Sequence, residues 1–231
     1  MAEKITRKVE ENSLLSTYHV PICQHPVKGS VRVPGSKSMT NRALPIAALA
    51  RGTTVLHGAL FSDDSRYFIE SLRRLGYQVD TDEPHHQITI TGAGVTPLSH
   101  LTGIDLFVGN SGTSARFLAA FVSLGQGRYR IDGIARMRER PIAALLHALT
   151  QVGISAIDEY HTGCPPILIE ANGFPGGVIS IHGMESSQYV SGLLLAAPYA
   201  QGPIDLYVEG TLVSAPYVTM TVEMMRQFGA N

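Results

Sequence analysis

The sequence predicts an α/β fold made by repeating one unit three times. Two observations carry the prediction. Ser36, Ser111 and Ser186 fall 75 residues apart, and Gly52, Gly127 and Gly202 keep the same spacing. Each serine lies in a small polar cluster, PGSKSMTNR at 34–42, GNSGTSAR at 109–116 and MESSQYVSG at 184–192, and each cluster runs into an apolar stretch of helical period. A helix that begins there exposes unpaired N–H groups and a partial positive charge. Three such starts facing one place would outline an anion site.

The elements follow in order. In the first unit, 38–50 reads as a helix with Ala43, Ile46, Ala47 and Ala50 on one face. Pro45 removes a backbone donor and predicts a kink, and Gly52 reads as the stop. A strand at 53–57, a cap at Ser62-Asp63-Asp64, a helix at 65–75 ending at Gly76, and strands near 77–80 and 87–91 complete it. The second unit repeats this with a helix at 113–124, a strand at 129–132, a helix from Arg140 with Pro141 in its first turn and Gly153 after it, then strands near 154–157 and 167–170. In the third, a helix at 187–199, a strand at 204–208 and a helix from Ser214, with Pro216 in its first turn, run to Gly229-Ala230-Asn231. The two strands that close the earlier units are missing, so the third unit reads as cut, or as completed by something else.

With 231 residues and 44% apolar content the chain can bury a substantial core. A net charge of −1 speaks against general nucleic-acid binding, which needs a basic footprint. Lys37, Arg42, Arg116, Arg136, Arg138 and Arg140 nevertheless make the motifs locally basic, which suits a small, multiply charged anion. Cys23 and Cys164 form no CxxC pair, and two cysteines make no disulfide framework, so a reducing cytoplasm is expected. No membrane span or signal-peptide core is expected. The nine histidines show no metal-ligand spacing, so no metal is assigned.

PGSKSMTNR lacks the GxxxxGK[ST] order of a nucleotide phosphate loop. It can instead set Lys37, the Ser38 hydroxyl and Arg42, one turn on, against a bound anion, or be an ordinary capped helix with solvated cations. GNSGTSAR allows close ligand approach to the backbone, or is simply a turn and an N-cap. RMRERP at 136–141 crowds three arginines before a predicted helix start, where positive charge is unfavourable unless an anion compensates it. A surface patch paired with Glu139 is the alternative. Asp63 and Asp64 read as helix caps.

Together PGSKSMTNRAL, GNSGTSAR, RMRERPI, Ser186-Ser187-Gln188 and LVSAPY at 212–217 resemble the N-terminal half of the 5-enolpyruvylshikimate-3-phosphate (EPSP) synthase family. The resemblance implies an inside-out α/β domain of repeated βαβαββ units, the third incomplete, and a second domain that would close over the ligands. It implies transfer of enolpyruvyl from phosphoenolpyruvate to the 5-hydroxyl of shikimate 3-phosphate with release of phosphate, in aromatic amino acid biosynthesis, without a metal or organic cofactor. Lys37, Gly112 and Arg140 match positions around phosphoenolpyruvate, where glyphosate competes, with Asn110 and Arg116 in support. Ser38, Arg42, Ser186, Ser187, Ser214 and Tyr217 match the shikimate-3-phosphate side, and Gln188 lies between both ligands. Lys37 and Gln188 are the expected catalytic positions of this half.

The resemblance also divides the chain: a flexible tail at 1–16, a strand and crossover segment towards the missing C-terminal domain at 17–35, and a shikimate-3-phosphate-binding domain at 36–231, with repeats near 36–110, 111–185 and 186–231. The family's proton-transfer acids lie in the C-terminal domain, so activity is expected only with a complementary C-terminal fragment. The alternatives are a binding module without catalysis and the related UDP-N-acetylglucosamine enolpyruvyl transferase. Against the latter, Lys37 is followed by Ser38 where that relative typically has asparagine, and Cys164 sits before Pro165-Pro166, outside a reactive-cysteine context.

Overall fold

A computed structural model describes residues 22–26, 28–99 and 101–230. The chain divides into Met1–Val33 and Pro34–Asn231. In the first unit, residues 22–26 and 28–33 form neither helix nor strand. The tail expected at 1–16, and 17–21 of the expected strand segment, lie outside the described residues. The described part of 17–35 enters no ladder among the described residues.

The second unit runs α1 (Lys37–Leu49), β1 (Arg51–His57), α2 (Asp63–Arg74), β2 (Gln78–Asp82), β3 (Gln87–Ala93), β4 (Leu101–Phe107), α3 (Gly112–Val122) and β5 (Gln126–Asp132). It continues with α4 (Ala143–Thr150), β6 (Ser155–Asp158), β7 (Ile167–Asn172), β8 (Gly177–His182), α5 (Ser187–Ala196), β9 (Ile204–Glu209) and α6 (Ala215–Gln227). Three sheets form, ordered β1-β3-β2, β4-β5-β7-β6 and β8-β9. The middle sheet shows the whole pattern, with β4 parallel to β5 and the other neighbours antiparallel. The first sheet has its last three strands, starting with the pair Arg51↔Ala93 where the middle sheet has Gln126↔Asn172. The third has its first two, in parallel.

The 75-residue spacing marks helix starts. Ser36, Ser111 and Ser186 are the N-caps of α1, α3 and α5, accepting hydrogen bonds from the backbone N–H of Met39, Ser114 and Gln188. Each satisfies one of the orphan donors of its helix. These three helices are buried along much of their length: Leu44, Leu118, Phe117 and Leu193 are essentially inaccessible. Burying a side chain of that size stabilises by about 1.5–3 kcal/mol. The sheets lie outside them, with Val55, Phe107, Val178 and Tyr207 exposed. Helices inside and sheets outside match the inside-out expectation. Among the described residues no helix is long and apolar enough to cross a membrane.

Four local expectations change. Helix α1 runs through Pro45 and stays helical to Leu49, because every residue from Thr40 to Leu49 is buried and packing outweighs one lost donor. Gly52 does not stop that helix; Ala50 ends it in an extended conformation and Gly52 is the second residue of β1. Ser62, not Asp63 or Asp64, caps α2, through a reciprocal capping box with Ser65. Finally, no helix starts at Arg140. A single 3-10 turn occupies Met137–Glu139 and α4 waits until Ala143. Arg140 precedes Pro141, which pushes it out of the helical region to φ −98°, ψ 119°.

Strand β3 is packed under the end of α1 at Gly92, where a Cβ would collide with the carbonyl oxygens of Ala47 and Ala50. Gly92→Ala must separate helix and sheet, and is expected to cost about 3 kcal/mol or more. Chemical denaturation measures it; a loss below about 0.5 kcal/mol would show that the layers are not held at this distance.

Candidate functional site

The first turns of α1, α3 and α5 and the start of α6 line two adjoining clefts of about 390 and 440 Å³. Ser38 and Arg42 of α1, Ser186 and Ser187 of α5, and Ser214 and Tyr217 of α6 line the first. Asn110 and Gly112 at the start of α3 line the second, with Arg140 and Asp64. Lys37, Thr113 and Gln188 belong to both. The residues expected on the shikimate-3-phosphate side are thus gathered in one cleft. Lys37, Asn110, Gly112 and Arg140, expected around phosphoenolpyruvate, are gathered in its neighbour, whereas Arg116 lines neither cleft.

Arg42 is only 2% exposed, yet among the described residues no carboxylate pairs with it. Its Nε donates to Thr221 Oγ1 (2.7 Å), one terminal nitrogen to the Ser38 carbonyl (2.9 Å) and the other to Ser191 Oγ (3.3 Å). The rings of Phe117 and Tyr217 stand 5.3 and 5.6 Å from its guanidinium carbon. Burial draws its pKa below the ordinary arginine value, against a partial opposing pull from Tyr217. A buried cation held by neutral acceptors alone is costly, and an anion in the cleft would relieve that cost. Thr221 and Ser191, which fix this guanidinium, are not among the site residues expected from the sequence; each is a buried hydroxyl within a helix, α6 and α5, and they hydrogen-bond to each other at 3.0 Å.

Arg116 is similar. It donates to Gln188 Oε1 (2.6 Å) and to the Pro141 carbonyl (2.9 Å), and its guanidinium lies 5.2 Å from the Tyr189 ring centroid. Burial lowers its pKa, Tyr189 raises it in part, and Arg140 lowers it further. Because Gln188 accepts from Arg116, its amide nitrogen faces Thr113 Oγ1 (3.2 Å), so the orientation of this shared residue is set.

In the second cleft Arg140 donates to the Asn110 carbonyl (2.8 Å) and passes over Gly112, where a Cβ would stand 2.7 Å from its guanidinium carbon. Lys37 Nζ lies 3.6 Å from Asp64 Oδ2, and Asp64 also accepts from Ser111 Oγ (2.7 Å). Asp64 is therefore a cleft residue, which its reading as a helix cap did not capture. The three arginines of RMRERP separate: Arg136 pairs with Glu139, Arg138 with Asp132, and only Arg140 lines the cleft. Of the three cations that line the clefts, Lys37, Arg42 and Arg140, only Lys37 has a carboxylate partner among the described residues, and Arg116, behind Gln188, has none either.

Ser214 is the N-cap residue of α6 but its side chain makes no cap bond, and its backbone is left-handed at φ 56°, ψ 37°. A non-glycine residue there costs of order 1 kcal/mol, a strain typical of sites where a side chain is aimed at a ligand.

Residues 23–231 match the family described as EPSP synthase (3-phosphoshikimate 1-carboxyvinyltransferase). Similar proteins include the 3-phosphoshikimate 1-carboxyvinyltransferase of Nostoc punctiforme, 44% identical over 93% of this chain and 50% of that protein. The chloroplastic enzyme of Arabidopsis thaliana is 42% identical over 89% of this chain and 41% of its own length. Among solved structures, EPSP synthase from Acinetobacter baumannii superposes with a TM-score of 0.76 at 28% identity, covering 88% of this chain and 44% of that one. The chain spans about half the length of the curated relatives it matches.

Ser214→Gly separates strain from binding. Relief of the left-handed serine should leave stability unchanged or raise it by up to about 1 kcal/mol, while loss of the hydroxyl should weaken binding of a phosphate-bearing ligand in the first cleft roughly 10-fold. Thermal melts and calorimetric titration read the two effects. Unchanged affinity would exclude the hydroxyl as a ligand.

Proposed function

Because the chain belongs to the EPSP synthase family, we propose that it is the shikimate-3-phosphate-binding part of an enzyme that transfers enolpyruvyl from phosphoenolpyruvate to the 5-hydroxyl of shikimate 3-phosphate. One observation supports this above others: two adjoining clefts share Lys37, Thr113 and Gln188 and are lined by three cations, Lys37, Arg42 and Arg140, the last two without a carboxylate partner among the described residues. Two anionic ligands that must meet would be held side by side by such a pair. Shikimate 3-phosphate occupies the first cleft, its phosphate on the hydroxyls of Ser38, Ser186, Ser187, Ser214 and Tyr217 and its ring substituents on Arg42. Phosphoenolpyruvate occupies the second, with Lys37 and Arg140 opposing its phosphate and carboxylate charges, and glyphosate competes there. Gln188, held by Arg116, lies between the reacting groups.

The reaction needs a proton donor and acceptor, and the family resemblance assigns those to a C-terminal domain. Lys37, half exposed, and Arg140 also need water excluded before their fields act at full strength on developing charge. Turnover therefore requires a complementary C-terminal fragment. The matched family is EPSP synthase rather than the UDP-N-acetylglucosamine transferase weighed from sequence.

Phosphate release from phosphoenolpyruvate and shikimate 3-phosphate, measured with this chain alone and with a separately made C-terminal fragment, tests the proposal. Turnover is expected in the mixture only, and Lys37→Met should lower it roughly 100-fold or more. Steady turnover by the chain alone would overturn the need for a second part. No turnover in the mixture, with shikimate 3-phosphate still bound, would favour a binding module without catalysis.

A further inference from the structure

Arg140 is aimed at its cleft by little of its own. Its guanidinium has one backbone acceptor, the Asn110 carbonyl, and no carboxylate partner among the described residues. Its placement depends on the loop that carries it, between the end of β5 and the start of α4. That loop is tied down on both sides of Arg140. One residue beyond it, the Pro141 carbonyl accepts from Arg116 (2.9 Å) and from the Tyr189 hydroxyl (2.8 Å). Two residues before it, Arg138 forks onto Asp132, with Nε to Oδ1 at 3.0 Å and the terminal nitrogen to Oδ2 at 2.7 Å.

This fork differs from an ordinary surface ion pair. Asp132 is 8% exposed, ends β5, and also accepts from the Gly133 N–H at 2.8 Å. Its second carboxylate oxygen lies 3.3 Å from Arg130, which is itself forked onto Glu159 at 2.7 and 3.0 Å. The acceptor end is thus rigid, and a two-point guanidinium bond fixes orientation as well as distance. Arg138 is not a lining residue of either cleft. Its position in RMRERP fits a role exerted through Arg140.

We propose that the Asp132–Arg138 fork is a positioning device. It holds the loop so that the Arg140 guanidinium stays on Asn110 above Gly112, and so sets how tightly the second cleft binds a ligand bearing phosphate or carboxylate. The ligand half of this inference rests on the function proposed above; the ordering of Arg140 does not. Without the fork the guanidinium has more conformations to lose on binding, and affinity falls without loss of any direct contact.

Asp132→Asn, at a buried position, would leave Arg138 without a carboxylate partner and remove one of those beside Arg130, and risks unfolding. Arg138→Gln is the better variant, because Asp132 keeps Arg130. With the arginines ¹⁵N-labelled, the Nε–H signal of Arg140, identified by its loss in Arg140→Lys, reports side-chain order through its heteronuclear Overhauser effect. Arg138→Gln should lower that order while the Arg42 and Arg116 signals stay in place, showing an intact fold. Arg138→Lys, which keeps the charge but not the fork, should fall between. With shikimate 3-phosphate and the complementary C-terminal fragment present, phosphoenolpyruvate affinity should drop roughly 10-fold in Arg138→Gln, with shikimate-3-phosphate affinity unchanged. An Arg140 as ordered in Arg138→Gln as in the wild type would overturn the positioning role. A response of Arg140 order without phosphoenolpyruvate binding by any variant in the presence of that fragment, the wild type included, would support positioning and refute the ligand assignment instead.

Discussion

Three helices begin at the same two clefts, and that convergence gathers positive charge which the protein only partly neutralises. Serine caps 75 residues apart fix the starts of α1, α3 and α5, and each leaves further first-turn N–H groups beyond the one it satisfies. Lys37 follows the first cap directly, and Arg42 and Arg116 project from α1 and α3. The rest of the architecture serves this arrangement. Placing the helices inside and the sheets outside brings their starts together, and the buried stretch from Thr40 to Leu49 keeps α1 helical through Pro45. Burying Arg42 among neutral acceptors is the clearest cost, and one that an anionic ligand would offset.

The two clefts differ in how they hold their cations. In the first, Arg42 is locked by Thr221, Ser191 and the Ser38 carbonyl, and the strained Ser214 adds a hydroxyl that no cap bond uses. In the second, Lys37 is shared with Asp64, and Arg140 rests on one carbonyl and on the loop that bears it. On the proposed function, the first cleft is ready for shikimate 3-phosphate, whereas the second depends on positioning and on a covering domain to exclude water. Gln188, fixed by Arg116 and touching Thr113, ties the two together.

Much of this was legible in the sequence because the repeat is legible. A 75-residue spacing of serines before apolar helical stretches located three caps, and the family resemblance gathered the cleft residues from Lys37 to Tyr217. What escaped had physical reasons. Strand β4 carries Gly103 at positive φ and a register shift between Leu101 and Ile104, which break its alternation. Strand β8 precedes the polar cluster that opens its unit in the sequence. The delayed start of α4 was readable in principle, since a residue before proline avoids the helical region, and it is this extended Arg140 that the cleft uses. Tertiary pairings such as Asp64 with Lys37, Arg138 with Asp132 and Thr221 with Arg42 leave no mark in local spacing.

A crystal structure of the chain with shikimate 3-phosphate tests the central claim most directly, that the unneutralised charge at the converging helix starts is an anion site. The phosphate should lie against the hydroxyls of Ser186, Ser187 and Ser214, with the ring reaching Arg42. A ligand seated elsewhere, or clefts left empty at saturating ligand, would contradict it.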